Sequence, residues 1–240
     1  MFKAQKSYFI VDAGNTSIKV ALVENQNIGT VQRVQTWDEV LKLVKDGHVV
    51  LASVLGSEVH SLLQLNTASV YQITSTSRLP FKSAYTSMDT VGIDRLCNVA
   101  AAKRHFSDNN TLIIDIGTCV KFDLLSSEGT YLGGSIAPGI ELRYRSLNDY
   151  TNKLPLLDFK GAVPLIGQNT QSSIHSGIIN GISNEIQGMI SRYERDFDRL
   201  QVFITGGDAS YFDFPQKSNI FANKNLTLEG IVEIYKIHAL

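Results

Sequence analysis

Two stretches of this chain bring a carboxylate, a glycine and a hydroxyl together in an order suited to holding phosphate. In Leu112-Ile-Ile-Asp-Ile-Gly-Thr-Cys-Val-Lys-Phe-Asp123 an apolar run delivers Asp115 to its tip and then turns on Gly117 and Thr118 into a second strand. Acid, backbone amides and hydroxyl then meet at one spot, where a phosphate could sit. Ile10-Val-Asp-Ala-Gly-Asn-Thr-Ser-Ile-Lys-Val-Ala-Leu22 repeats the order: an apolar pair, Asp12, one residue, Gly14, and a threonine within two positions. Asn15, Thr16 and Ser17 add side-chain donors beside that turn, and Lys19 adds charge further along the strand. One copy alone is also an ordinary turn signal. The recurrence, about a hundred residues on, has the scale of a domain and implies two related halves facing each other across a cleft.

Two further places carry candidate chemistry. The polar, irregular stretch from Ser75 to Val91 holds Tyr85 and Asp89, and such a loop in a compact domain is more often functional than idle. It ends in Gly92-Ile-Asp-Arg-Leu-Cys-Asn98, where Ile93, Leu96, Cys97 and Ala100 repeat at helical spacing and set one apolar face on the core. Asp94, Arg95 and Asn98 then fall in the first turns off that face. An Asp at a helix start is either a cap or a positioned acid. The planar fork of Arg95 fits a substrate carboxylate or an internal acid. Later, Gln201 to Thr205 reads as a strand ending in Gly206-Gly207, where a flat ring or sugar could lie against bare backbone. Gly133-Gly134 and Pro138-Gly139 signal close approach of something to the chain. Cys97 reads as a small core residue. With Cys119 as the only other cysteine, there is neither a disulfide framework nor a zinc site.

The elements that position these groups alternate as in an α/β protein. Strands are expected at Ser7–Ala13, Ser17–Glu24, Ile28–Val34, His48–Ser53 and Ser69–Thr74, with helices at Asp38–Lys45 and Gly56–Leu65. In the second half a helix runs from about Ile140 to Leu147, an irregular Leu/Pro-rich segment spans 149–162, and the longest helix runs from Thr170 to Arg195. Its isoleucines 174, 178, 182, 186 and 190 form a ridge that could pack on a second copy of the chain or form an internal core face. A short strand at 219–222 and a closing helix from Leu228 end the chain. The domain reading is 1–108 and 109–240. His48, His60 and His175 read as surface residues and Trp37 as a packing residue. The net charge of -1 and the lack of a basic block give no nucleic-acid or membrane footprint, so small molecules or another copy are the expected partners. The amino end shows no signal-peptide core, and a cytoplasmic location is expected.

The motifs resemble the type III pantothenate kinases along nearly the whole chain: Asp12-x-Gly-Asn-Thr-x-x-Lys19, Gly92-x-Asp-Arg-x-x-Asn98, Asp115-x-Gly-Thr118, Gly133-Gly-x-Ile-x-Pro-Gly139, Asn169-Thr170 before Ser176-Gly177, and Thr205-Gly-Gly207. The resemblance implies two ribonuclease-H-like halves of the actin-like ATPase/sugar kinase superfamily. It also implies ATP-dependent phosphorylation of the primary hydroxyl of pantothenate, the first step of coenzyme A biosynthesis. Under it, Asp12, Ala13, Gly14, Asn15, Thr16, Ser17, Ile18 and Lys19 form the first phosphate loop, with Asp12 holding magnesium through water. Thr118, Gly206 and Gly207 contact ATP, and Asp115 binds a monovalent cation, potassium or ammonium. Tyr85, Gly92, Ile93, Asp94, Arg95 and Thr170 bind pantothenate, Asp94 is the general base, and a homodimer is the active unit. The competing readings are another small-molecule kinase or phosphatase of the superfamily, or a non-catalytic nucleotide-binding regulator.

The chain departs from the family in being somewhat short and in carrying Cys119 and Lys121 where small or hydroxyl residues are common. The Lys121 ammonium could replace or weaken dependence on potassium, or point to solvent from the other strand face. The expectation is that monovalent cations still activate.

Overall fold

A computed structural model describes residues 7–55, 58–159, 161–214 and 217–239. In chain order the elements are β1 (Ser7–Ala13), β2 (Ile18–Glu24), β3 (Asn27–Ile28), β4 (Gln32–Val34), α1 (Trp37–Val44), β5 (His48–Ser53), α2 (Glu58–Gln64), β6 (Ser69–Gln72), β7 (Lys82–Ser83) and α3 (Ile93–His105). There follow β8 (Thr111–Ile116), β9 (Cys119–Leu125), β10 (Thr130–Pro138), α4 (Ile140–Asp149), α5 (Thr170–Asp196), β11 (Gln201–Thr205), β12 (Ile220–Ala222) and α6 (Leu226–Ala239).

The chain divides into two compact units. One holds the chain up to Ser107, Glu128–Gly133 and everything from Asn225 onward; the other holds Asp108–Ser127 and Gly134–Lys224. A single break between residues 108 and 109 therefore differs from the packing, since Glu128–Gly133 and the closing helix belong with the first unit, the helix because its apolar face packs on α3.

Each unit is built around the same strand plan. In the first the sheet order is β3-β2-β1-β5-β6, in which β1 is antiparallel to β2 and parallel to β5. In the second, β8 is antiparallel to β9 and parallel to β11, which is parallel to β12. The tip of each central hairpin is pinned by register, and the register sets an acid directly opposite a lysine: Asp12 against Lys19, Asp115 against Lys121.

Side-chain alternation along the strands decides which way these acids face. In β1, Phe9, Val11 and Ala13 pack with α1 and α2, whereas Tyr8 and Ile10 pack with α3 and α6. Asp12 continues the second series, so its carboxylate is on the α3 side. In the second unit Leu112, Ile114 and Ile116 of β8 join Val120, Phe122 and Leu124 of β9 against α4 and α5. Asp115 and Lys121 are therefore on the opposite sheet face.

Packing decides one reading the sequence leaves open and corrects two others. The α5 isoleucine ridge is entirely buried inside its own unit, each member no more than 7% exposed, so it is core and not a free docking face. The first turns of α3 are not solvent-facing: every residue from Arg95 to Ala102 is buried, because α6 covers the side of the helix that the sheet does not. His175 is half-buried and bonded to the Tyr144 hydroxyl at 2.6 Å, and His48 is likewise half-buried, its Nδ1 2.8 Å from the Ser69 hydroxyl. Smaller differences concern chain breaks. The expected strand at 28–34 splits into β3 and β4 around Gly29, whose amide bonds the Leu22 carbonyl at 2.8 Å. The 75–91 loop contains β7 and a 3-10 turn at Met88–Thr90. The helix expected from Gly56 begins at Glu58, and residues 56 and 57 lie outside the described residues.

Asn98, fully buried, accepts a hydrogen bond from the Thr227 hydroxyl at 2.9 Å, which joins α3 to α6. Asn98→Ala is expected to leave the Thr227 hydroxyl without this acceptor and to lower stability by about 1–3 kcal/mol, measured by denaturant unfolding. Asn98→Asp should cost more, since it buries a charge.

Candidate active site

The first phosphate-loop candidate is the β1–β2 connection. Asp12 is partly covered at the end of β1, and the Lys19 ammonium stands 3.5 Å from its Oδ2. The turn closes through a Gly14 amide to Ser17 carbonyl bond at 3.3 Å. A Cβ on residue 14 would crowd the Ser17 oxygen at 3.3 Å, so Gly14 eases this close approach without a positive φ. Asn15 and Thr16 are exposed, Ser17 partly so, and Ala13 and Ile18 are buried beneath them as the anchoring pair.

Asp94 belongs to the same side of that unit. It sits in the first turn of α3, where the helix amino terminus favours a negative group. Its Oδ1 accepts the Arg95 amide at 2.8 Å. A Cβ on residue 92 would fall 2.5 Å from that oxygen, so Gly92 leaves room for the carboxylate where it stands. Burial first, and then the negative charges of Asp12 and Asp94, push the Cys97 thiol well above its ordinary pKa. The cysteine is thus an inert core thiol, as its place on the apolar stripe suggests. Asp12 faces the side of the sheet that α3 covers, so both acids belong to that face of the first unit.

Arg95 is only 4% exposed. Its guanidinium carbon lies 5.6 Å from the Tyr85 ring centre and 6.0 Å from that of Tyr131, and the two rings stack at 5.8 Å with planes 13° apart. Gly133, at φ +102°, lies under the Tyr85 ring, which a Cβ would approach to 3.1 Å. Tyr131 was not a candidate in the sequence. It is fully buried, and what places it here is the pairing of Thr130 and Tyr131 with Lys82 and Ser83, a contact between distant segments that no local pattern announces. An aromatic box of this kind fixes the direction of a guanidinium that would otherwise sample many rotamers.

In the second unit the strand tips converge as bare backbone. Thr205 pairs with Asp115, and Gly206 follows at φ +101°, where a Cβ would come within 2.1 Å of the Ile116 carbonyl oxygen. The Asp208 amide bonds that same carbonyl at 3.0 Å. Gly139 presses on the turn from another side, its amide 3.0 Å from the Thr118 carbonyl. Asp115, Thr118, Gly206 and Gly207 are therefore brought together, and Gly117 and Gly207 face open space, with nothing within 4 Å of a Cβ built at either. Thr170 stands apart from this group. It is exposed at the start of α5, capped by Asn169, and lines a cavity of about 710 Å³ with Arg143, Ser146, Leu154 and Gly177.

The family model for type III pantothenate kinases matches residues 8–192. The chain belongs to the type III pantothenate kinase family. A family member from Christiangramia forsetii is 40% identical over 230 residues, covering 92% of this chain and 95% of that protein. Among solved structures, one from Campylobacter jejuni assigned to the Baf family of transcriptional activators aligns with a TM-score of 0.64 at 18% identity, over 96% of this chain and 98% of that one. The inorganic polyphosphate/ATP-glucomannokinase of Arthrobacter sp. strain KM aligns at 0.51 and 14% identity, over 98% and 100%. At such identities these two structures speak to fold alone, the α/β plan of two sheets described above. Membership makes the chain a kinase, a transferase that uses ATP. Among the described residues no helix is long and apolar enough to cross a membrane.

Proposed function

We propose that this kinase transfers the γ-phosphoryl group of ATP to the primary hydroxyl of pantothenate, giving 4'-phosphopantothenate for coenzyme A synthesis, with Asp94 as the base. The observation that carries the reading is the carboxylate pair of the first unit. Asp94 stands in the first turn of α3, and Asp12, near the end of β1, turns its carboxylate to the sheet face that α3 covers.

The roles follow from chemistry. The substrate oxygen attacks the γ-phosphorus, the bond from phosphorus to the β–γ bridging oxygen breaks, ADP leaves, and the hydroxyl proton passes to Asp94. Because the transition state is loose, positioning and charge stabilisation matter more than base strength. The loop from Asp12 to Lys19 takes the phosphates, with the ammonium of Lys19 against their charge, and Thr118, Gly206 and Gly207 contact the nucleotide. Arg95, aimed by Tyr85 and Tyr131, takes the pantothenate carboxylate. Gly92, Ile93 and Thr170 complete the acceptor site, and a homodimer is the working unit.

Magnesium carried in by the nucleotide keeps most of its waters and needs one protein carboxylate, here Asp12. When bound it offsets charge on the phosphates. The monovalent cation that the resemblance sets at Asp115 fits less well, since that carboxylate already holds the Lys121 ammonium at 2.8 Å.

The test is a coupled assay of the purified protein with ATP, magnesium and a panel of hydroxyl acceptors. ADP should form in proportion to pantothenate and not to sugars. Transfer to sugars instead would favour another kinase of the superfamily, and ATP binding without any transfer would favour a regulator. Arg95→Gln should raise the pantothenate KM roughly 10- to 150-fold, the loss of a charge-assisted pair. With pantothenol, which lacks the carboxylate, wild type and variant should differ little.

A further inference from the structure

We propose that Lys121 is a built-in monovalent cation: its ammonium takes the seat at Asp115 that potassium or ammonium would otherwise fill, so that phosphoryl transfer in this chain runs without an added monovalent cation. The inference rests on the kinase reading, and its test is arranged so that the two can fail separately.

Three observations carry it. First, Lys121 Nζ is 2.8 Å from Asp115 Oδ2, a contact ion pair, and both side chains are about six-sevenths covered, at 16% and 14% exposure. The alternative, a side chain turned to solvent from the other strand face, is excluded by the register. Lys121 is directly opposite Asp115, and its neighbours Val120 and Phe122 take the core-facing side. Second, the arrangement is duplicated. Asp12 and Lys19 are directly opposite in β1 and β2, with the ammonium 3.5 Å from the carboxylate and the same 16% and 14% exposure. The second hairpin reaches Asp115 from a lysine six positions on, not seven, because its turn is one residue shorter. Each hairpin thus sets a lysine directly opposite its acid, although the turns differ in length by one residue. Third, the surroundings suit a fixed cation. Thr205 of β11 pairs with Asp115 at the strand tip, and a Cβ built at Gly117 or Gly207 meets nothing within 4 Å.

The physical consequence concerns occupancy. A tethered ammonium is present at a high effective concentration and gives up no translational freedom on binding, so its charge is delivered at any salt concentration. It also repels a second cation in direct contact with the same carboxylate, and in a partly covered site that repulsion is poorly screened; at Asp12 the ammonium stands farther off, at 3.5 Å, and the magnesium proposed there is held through water. The residues near Asp115 therefore do not favour a mobile potassium ion.

The experiment compares wild type with Lys121→Met, which keeps the length of the stem and removes the charge. Turnover is measured in potassium chloride, ammonium chloride and tetramethylammonium chloride at equal ionic strength, about 0.1 M. The affinity for a non-hydrolysable ATP analogue is measured calorimetrically in the same buffers. The proposal expects wild-type turnover and affinity to agree within about twofold across the three salts. Lys121→Met should lose tenfold or more in tetramethylammonium and recover most of it in potassium or ammonium, on the order of an ion pair in a covered site. Wild-type activation by potassium of about fivefold or more overturns it and leaves the kinase reading standing. So does a folded variant that no cation restores, or one that is as active as wild type in every salt. Should the wild type show no transfer in any buffer, the kinase reading fails on its own, and the salt dependence of analogue binding by the two proteins still decides the role of Lys121.

Discussion

Asp94→Asn should reduce turnover roughly 10²- to 10⁴-fold, the range over which positioned proton acceptors act, while leaving the affinity for an ATP analogue within about twofold of wild type. The side chains are nearly equal in volume, so the space that Gly92 leaves beside Oδ1 accommodates either, and the Arg95 amide keeps an oxygen acceptor. What is lost is the capacity to take the hydroxyl proton as the phosphorus–oxygen bond forms, and with it a negative charge at the amino terminus of α3. Steady-state kinetics in the coupled assay and calorimetry with the analogue separate the two effects. Near-normal turnover would show that the base is another group. A large loss of nucleotide affinity would instead make Asp94 part of the phosphate site.

The fold was legible where local pattern decides structure. The two hairpins announced themselves by a short apolar run, an acid and a glycine; the structure bears out β1 and β2 to within a residue and sets the second turn at Gly117 and Thr118, between β8 and β9. Helix α5 was legible because its periodicity runs over many turns and because Asn169 and Ser172 form a capping box at its start. What local pattern did not hold was the use of each face. The α5 ridge fits an internal core and a dimer seam equally well, since both select isoleucine at four-residue steps; only the packing of Leu112, Ile114 and Val202 against it makes it internal. Arg95 and Asn98 looked solvent-facing because a polar side chain counts as exposed in any periodicity argument, and their cover arrives from α6, more than a hundred residues later. Tyr131 was hidden for the same reason. Its importance is a pairing of β10 with β7, and β7 is two residues long, too short for any pattern to mark.

The closing helix supplies the second large effect, because it fixes α3 and so the acid that α3 carries. Gly230 meets α3 at backbone distance: a Cβ there would lie 1.7 Å from the Cys97 carbonyl oxygen and 2.7 Å from its Cα, and no rotamer relieves a clash with main chain. Gly230→Ala sets two effects against each other. Alanine gains about 1 kcal/mol of helix propensity over glycine. Against this, α6 must move off a helix buried from Arg95 to Ala102, opening the contacts of Ile231 and Ile234 and straining the Thr227 to Asn98 bond. Overpacking in a close-packed core costs about 1–3 kcal/mol, and backbone against backbone belongs at or above the top of that range. The clash should win by about 2 kcal/mol or more, a fall in Tm of roughly 5 °C or more for a chain of this size. Gly188→Ala is the matched control. It lies in α5, exposed and with nothing within 4 Å of a Cβ, so there the propensity term acts alone and should stabilise by about 0.5–1 kcal/mol. Activity should follow the same division. A displaced α3 carries Asp94 and Arg95 with it, so the folded Gly230→Ala protein should lose turnover and pantothenate affinity together, while Gly188→Ala should keep both. Equal melting temperatures for the two variants would mean that α6 does not touch the backbone of α3, and the placement of Asp94 would then need another support.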